Sequence, residues 1–166
     1  MTLLEAMRHS RHADRIQIHF AGKGPLKERY EHEAEKLVSE GIMKHPAVFG
    51  FYSSDELKAL ARKAYLNIHC AVVEVEGLSC LEAIREGVVP VIAEGHLAAT
   101  SQFALDERSI FPEQDARALA EKIDWWIEHP VERLRMGQVY ADSARKYDIE
   151  ASIAGIIDMY TSALAS

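Results

Sequence analysis

The chain has 166 residues, of which 48% are hydrophobic and 27% are charged, the balance of one soluble globular domain with a hydrophobic core. Its 19 basic and 26 acidic side chains give a net charge of −7, which argues against broad electrostatic binding to nucleic acid or to an anionic membrane. Any anion must then be held by a local site. Cys70 and Cys80 have neither CxxC nor zinc-ligand spacing, and no run of about 18 apolar residues occurs. We therefore expect reduced thiols in a cytoplasmic protein.

Short apolar runs typical of β-strands alternate with helical patterns along the first two thirds of the chain. The predicted strands are residues 16–20, 47–51, 66–70, 88–93 and 109–111. A helix is predicted over 25–40, from Pro25 to the residue before Gly41, and another from the capping box of Ser53 and Glu56 to about residue 64. A third should run from Gly77 or Leu78 to residue 86.

Residues from 115 onward are predicted to be almost entirely helical. One helix reaches residue 129, Pro130 breaks the pattern, and helices follow over 131–147 and 149–165. Strands separated by helices of this length are joined in parallel through right-handed crossovers. The sequence therefore predicts an open, parallel, Rossmann-like α/β sheet with helices on both faces.

Two turns at the carboxyl ends of predicted strands are candidate binding elements, since ligands of open parallel sheets bind there. The first is "FAGKGPLKERY", in which Gly22 and Gly24 allow a tight turn before a helix. Its GxG is not followed by the xxG of a dinucleotide fingerprint. A plain strand-to-helix turn and one side of a nucleotide site both remain open.

The second turn opens the stretch "EVEGLSCLEAIREGVVPVIAEG". Unpaired backbone N–H groups of Gly77, Leu78 and Ser79 at a helix start could hold a phosphate. The Glu82 carboxylate, about one turn into the helix, could accept hydrogen bonds from vicinal hydroxyls, and Glu74 could reach a second set. This combination suits a nucleotide sugar. The alternative is that both glutamates are solvated surface acids.

The stretch "EVEGLSCLE" with "AIREGVVPVIA" resembles the signature of the C-terminal domain of retaining GT-B glycosyltransferases of the group 1 family, in which two glutamates are separated by seven residues. The turn "FAGKGPLKERY", the block "VFGFYSSDELKALARKAYLNIHC" and the closing "ARALAEKIDWWIEHPVERLRMG" resemble other segments of that family in the same order. The segment "ATSQFALDERSIF" is similar to a subgroup that makes capsular polysaccharides or glucosyl diacylglycerols.

The resemblance implies roles for the residues that match the family signature. Glu74 matches the first glutamate, which is expected to contact the transferred sugar and is our catalytic candidate. Glu82 matches the second, which is expected to hold the ribose. Gly77 and Leu78 match backbone that faces the diphosphate and sugar, with Ser79 beside them. The family's Gly-Phe after the first glutamate is here "VE".

The nucleotide side of such a site should be lined by two further turns. Gly22 and Gly24 belong to the first, and Gly50 to Tyr52 form the second. Lys23 could partly replace a basic pair that the family carries before "TLLEAMRHS". His69 and His96 lie at or beyond strand ends and are additional phosphate-contact candidates, with a structural role as the alternative.

The resemblance also implies what surrounds this domain in a whole enzyme. The family's first strand and its acceptor-binding half are not in this chain, so an exposed sheet edge could pair with another copy. The expected activity is metal-independent, cofactor-free transfer of a sugar, with retention, from a nucleotide diphosphate to a polysaccharide or lipid acceptor. The isolated chain is expected to be inactive, and the full enzyme to work at the inner face of the plasma membrane. A GT-B-fold nucleotide-sugar epimerase fragment and a non-catalytic interaction domain are the alternatives.

Overall fold

A computed structural model describes residues 1–164 of the chain, and the predicted end of the last helix at residue 165 lies outside this range. The helices are α1 (Thr2–Met7), α2 (Lys27–Ser39), α3 (Ser54–Ala61), α4 (Leu78–Arg85), α5 (Ala116–Glu128), α6 (Pro130–Ala144) and α7 (Ile149–Leu164). The strands are β1 (His19–Ala21), β2 (Val48–Gly50), β3 (Leu66–His69), β4 (Val73–Glu74), β5 (Val89–Glu94), β6 (Leu97–Ala98) and β7 (Ile110–Pro112). This is the α/β architecture that the sequence predicts.

All the strand pairs are parallel, and they form three groups. Strand β5 lies between β3 and β7, β1 pairs with β2, and the two-residue strands β4 and β6 pair with each other. Within residues 1–164, no strand pairing joins the β1–β2 group to the β3–β5–β7 group. The expected continuous sheet is therefore interrupted between β1 and β3.

One hydrophobic core extends across this interruption. Strand β5 is buried along its length up to Glu94, and its neighbours in the core include Phe111, Trp126 and Tyr140. The same cluster contains Ile18 before β1 and residues of α2. Helix α1 packs against both α5 and α2. The apolar interior is thus continuous even though the main-chain hydrogen bonding is not.

Local signals fix several helix ends where the sequence places them. Ser53 and Glu56 form the predicted capping box, with the Ser53 hydroxyl accepting from the Glu56 N–H and the Glu56 carboxylate accepting from the Ser53 N–H. Pro130 is the first residue of α6, where its missing N–H leaves no intrahelical bond unmade. Gly87 follows α4 with φ of 80°, the left-handed conformation of a helix C′ residue.

Some boundaries differ from the prediction. Helix α2 begins at Lys27 rather than at Pro25, because residues 25–26 form a turn before it. Strand β1 begins at His19, the first residue with a register partner in β2, and just before it the Ile18 carbonyl accepts the Val48 N–H at 2.8 Å. Strands β4 and β6 are not predicted. Each has only two residues, too few for an alternating pattern to register.

Helix α7 lies apart from the core and exposes most of its side chains. Its apolar residues Ile149, Ile153, Ile156 and Tyr160 are all exposed. None of the helices within residues 1–164 has both the length and the apolar character needed to cross a membrane.

Candidate functional site

The start of α4 presents unpaired backbone N–H groups, as the sequence predicts. Gly77 precedes the helix with φ of 73°, and the first bonds of the helix run from the N–H groups of Cys80 and Leu81 to the Gly77 carbonyl, at 2.9 and 3.1 Å. Within residues 1–164, no backbone acceptor pairs with the N–H groups of Gly77, Leu78 or Ser79. Three unpaired N–H groups and the positive end of the helix dipole therefore lie together at the start of α4.

Thr100 covers Gly77 from the other side, a contact that the sequence analysis did not anticipate. Thr100 belongs to a short 3₁₀ helix, Ala99–Phe103, that follows β6. The Thr100 side chain is completely buried. Its Oγ1 has no hydrogen-bond partner within residues 1–164. A contact between residues 23 positions apart has no local signal in the sequence, so only the folded chain reveals it.

Glu74 ends strand β4, and its carboxylate lies near the Val75 N–H and the His69 ring. Its backbone lies in β4, opposite Ala98 of β6. One carboxylate oxygen, Oε1, accepts the Val75 N–H at 3.0 Å, and the other, Oε2, lies 3.6 Å from Nε2 of His69. The side chain is 32% exposed and so remains accessible to a ligand.

Glu82 is exposed on α4, whereas its helix neighbours Leu81 and Ala83 are buried. The carboxylate therefore lies on the solvent side of the helix, one turn beyond the free N–H groups. Leu78 and Ser79, the first two residues of the helix, are exposed as well. The roles of Leu78, Ser79 and Glu82 in donor binding stay predictions, since an exposed Glu82 fits both a hydroxyl acceptor and a solvated surface acid.

The turns after β1 and β2 are joined directly. The Gly22 N–H donates to the Gly50 carbonyl at 2.7 Å. The Tyr52 ring covers Gly50 so closely that a Cβ there would lie 2.4 Å from the ring. Lys23 Nζ lies 4.5 Å from the centroid of the exposed Phe51 ring. A cation and an aromatic face thus stand together at this end of the fold.

The remaining candidates are distributed around the same strand ends. Gly24 lies in the exposed turn before α2, and His96 is exposed between β5 and β6. His69 is largely buried at the end of β3. Burial lowers the pKa of His69, and the nearby Glu74 carboxylate partly offsets that lowering. His69 is therefore neutral at pH 7, which weakens it as a direct phosphate ligand.

The two thiols are poorly suited to chemistry. Burial raises the pKa of Cys70 to about 11 and that of Cys80 to about 12, so neither forms a thiolate at neutral pH.

In the part of the chain that the structure describes, no three His, Cys, Asp or Glu side chains are grouped so as to hold a metal ion. The polar groups at the strand ends are instead carboxylates, backbone amides and hydroxyls.

Parallel strands flanked by helices define a Rossmann-like domain of the GT-B type. The chain belongs to the glycosyl transferases of group 1, since the model of that family matches residues 1–142. This confirms the resemblance seen in the sequence.

One solved structure gives a close comparison, the crystal structure of the catalytic domain of cholesterol-alpha-glucosyltransferase from Helicobacter pylori. It is 43% identical to this chain with a TM-score of 0.79, and the match covers 89% of each chain. Similarity of this degree supports the same fold over nearly the whole chain. No curated protein sequence matches significantly.

Proposed function

We propose that this chain binds the nucleotide-sugar donor of a retaining glycosyltransferase and works with an acceptor-binding half. The observation that carries the proposal is the start of α4, where three unpaired N–H groups lie between Glu74 and Glu82 in a chain of this family. The N–H groups would bind the diphosphate. Glu82 would accept hydrogen bonds from the ribose, and Glu74 from hydroxyls of the sugar.

In this scheme the chemistry relies on electrostatics. As the bond between the sugar and the diphosphate breaks, negative charge grows on the phosphate oxygens, and the helix N-terminus faces that charge. The Glu74 carboxylate, on the sugar side, would stabilise the positive charge of an oxocarbenium-like state. These groups require neither a metal nor a cofactor for their part of the reaction.

The solved relative suggests the sugar and the acceptor class. That protein is named as a cholesterol-alpha-glucosyltransferase. By analogy we propose glucose as the transferred sugar and a lipid hydroxyl as the acceptor, with a polysaccharide as the other acceptor class that the sequence suggests. A lipid acceptor would place the whole enzyme at a membrane surface.

A direct binding experiment tests this proposal. UDP, GDP and ADP, and then their glucose conjugates, are titrated into the ¹⁵N-labelled chain while amide shifts are followed. We expect shifts at residues 77–82, with dissociation constants of roughly 0.1 to 10 mM. Sugar transfer by the chain alone is expected to be undetectable.

Two outcomes would contradict the proposal. If no nucleotide shifts residues 77–82, donor binding by this domain is wrong and the interaction-domain alternative is favoured. If the chain alone interconverts nucleotide sugars, the epimerase alternative is favoured. Phosphate alone serves as the control, since a site for a nucleoside diphosphate should bind it more weakly than UDP, GDP or ADP.

A further inference from the structure

His69 and Glu74 are brought together by two short strands with fixed backbones. His69 ends β3, where it is opposite Ile92 of β5, and Glu74 ends β4, where it is opposite Ala98 of β6. The residues between them turn the chain so that His69 Nε2 lies 3.6 Å from Glu74 Oε2. The strand pairings thus fix the backbone positions from which the two side chains approach each other.

Within residues 1–164, Nε2 of His69 has no hydrogen-bond partner, and the Glu74 carboxylate is the acceptor that lies near it. The His69 side chain is only 14% exposed, and Nε2 itself is buried. An unpaired buried N–H is unfavourable, and the Glu74 oxygen at 3.6 Å lies just beyond hydrogen-bond distance of this nitrogen. Within the described chain, Glu74 is also the one charged group that shifts the His69 pKa.

We propose that His69 is a positioning residue for Glu74, an inference that rests on the proposed function. In its neutral Nε2–H form, His69 donates to Glu74 Oε2 while the Val75 N–H donates to Oε1. The carboxylate is then fixed at both oxygens in one orientation. Its remaining lone pairs would accept hydrogen bonds from the sugar hydroxyls of the donor.

This role differs from direct contact with a phosphate. A neutral ring whose Nε2 is buried towards a carboxylate offers little attraction to an anion. Fixing an otherwise flexible glutamate removes the entropy that its ordering would require on binding. The benefit should therefore appear in the affinity for the sugar portion and not in the affinity for the nucleoside diphosphate.

The test measures how strongly the chain prefers a glucose conjugate to the corresponding free nucleoside diphosphate. The ratio of the two dissociation constants is determined by NMR for wild type, His69→Leu, His69→Gln and the control His45→Leu, with whichever of UDP, GDP or ADP binds best. We expect His69→Leu to reduce the preference about 3- to 10-fold, as the loss of one hydrogen bond would. His69→Gln, which keeps a donor, should stay within about twofold of wild type, as should His45→Leu.

A double variant separates positioning from a merely structural effect. His69→Leu combined with Glu74→Ala should be no worse than Glu74→Ala alone, because the two residues act through one carboxylate. An unchanged preference in His69→Leu, an equal loss of nucleoside diphosphate affinity, or additive losses in the double variant would each overturn the inference.

A measurement without ligand judges the pair separately from the proposed function. Long-range ¹H–¹⁵N spectra should show the Nε2–H tautomer of His69, and Glu74→Gln should lower the His69 pKa by removing a negative charge. A His69 ring in the Nδ1–H form, with a pKa that Glu74→Gln leaves unchanged, would overturn the pairing. If wild type binds no nucleotide, the proposed function fails, and these spectra alone then support or overturn the contact.

Discussion

Gly77 and Thr100 occupy space that has no room for one more methyl group. A Cβ built on Gly77 would lie 2.8 Å from Thr100 Cγ2 and 2.9 Å from Thr100 Oγ1, and Thr100 is completely buried. Gly77 also has φ of 73°, a backbone conformation that other residues rarely adopt. Two independent constraints therefore require glycine immediately before the free N–H groups of α4.

Gly77→Ala is accordingly expected to destabilise the chain by about 1 to 3 kcal/mol, through backbone strain and displacement of Thr100. Thermal and urea unfolding measure the change. Gly155→Ala is the matched control, since nothing lies within 4 Å of a Cβ built at Gly155 in the exposed helix α7, and it should be neutral or slightly stabilising. Equal stability of Gly77→Ala and wild type would show that neither constraint operates.

Gly87 tests backbone conformation with little steric conflict. A Cβ there would meet only the Gly137 carbonyl at 3.8 Å, an ordinary contact, whereas its φ of 80° is strained for other residues. Gly87→Val should therefore reduce the free energy of unfolding by roughly 1 to 2 kcal/mol. An unchanged melting temperature would contradict this. Gly87→Asn should lose less, because asparagine tolerates the left-handed region better than valine.

The two glutamates of the motif should affect binding differently. Glu82→Ala is expected to weaken nucleoside diphosphate binding by roughly 1 to 2 kcal/mol through loss of hydrogen bonds to the ribose. Glu74→Ala should leave that affinity nearly unchanged and reduce only the preference for a glucose conjugate. Glu76→Ala removes an exposed acid from the same loop and serves as the charge control. Equal effects of all three variants on binding would indicate that only the loss of a negative charge near the site matters and that neither Glu74 nor Glu82 makes a specific contact.

Glu132 should make stability depend on pH in the acid range. Hydrogen bonds from Arg135, and then from Arg108, lower the pKa of Glu132 from its ordinary value of 4.5 to about 2. A carboxyl whose pKa is lower in the folded state than in the unfolded state stabilises the fold above its unfolded pKa. That contribution is lost as the pH falls from about 4.5 towards 2.

Melting temperatures measured between pH 5 and pH 2 check this dependence. Glu132→Gln should show a smaller fall over that range than wild type, and Arg135→Gln should also show a smaller fall because it removes the largest cause of the pKa shift. An identical fall in Glu132→Gln and wild type would mean that the ion pairs of Glu132 do not contribute. Raised salt should reduce the difference, since the groups are near the surface.

Most of the fold follows from patterns local in the sequence. Apolar runs identify β3 and β5, the capping box identifies the start of α3, and Gly87 identifies the end of α4. The pairing of β4 with β6 could not be found, because two-residue strands have no period. The start of β1 was predicted too early because Ile16 and Ile18 continue the apolar pattern beyond the paired residues 19–21, although the Ile18 carbonyl still accepts the Val48 N–H at 2.8 Å.

For the candidate site, the sequence predicts residues but not their contacts. Glu74, Glu82 and the start of α4 were proposed from their spacing and from the family resemblance, and their roles stay predictions. The approach of His69 to Glu74 depends on how two sheets are placed, and the cover that Thr100 gives Gly77 depends on a distant 3₁₀ helix. Both are tertiary relationships that no local pattern encodes.

Within residues 1–164, no strand pairing joins the β1–β2 pair to the β3–β5–β7 sheet, and side-chain packing connects them, with α1 in contact with both α2 and α5. We therefore expect the two groups of strands to open with different free energies. Subglobal opening should therefore release β1, β2 and α2 while β5 stays closed. In native-state hydrogen exchange, the amides of β2 should have a lower free energy of opening than those of β5. The turns that carry Gly22 and Gly50 should open together with β2.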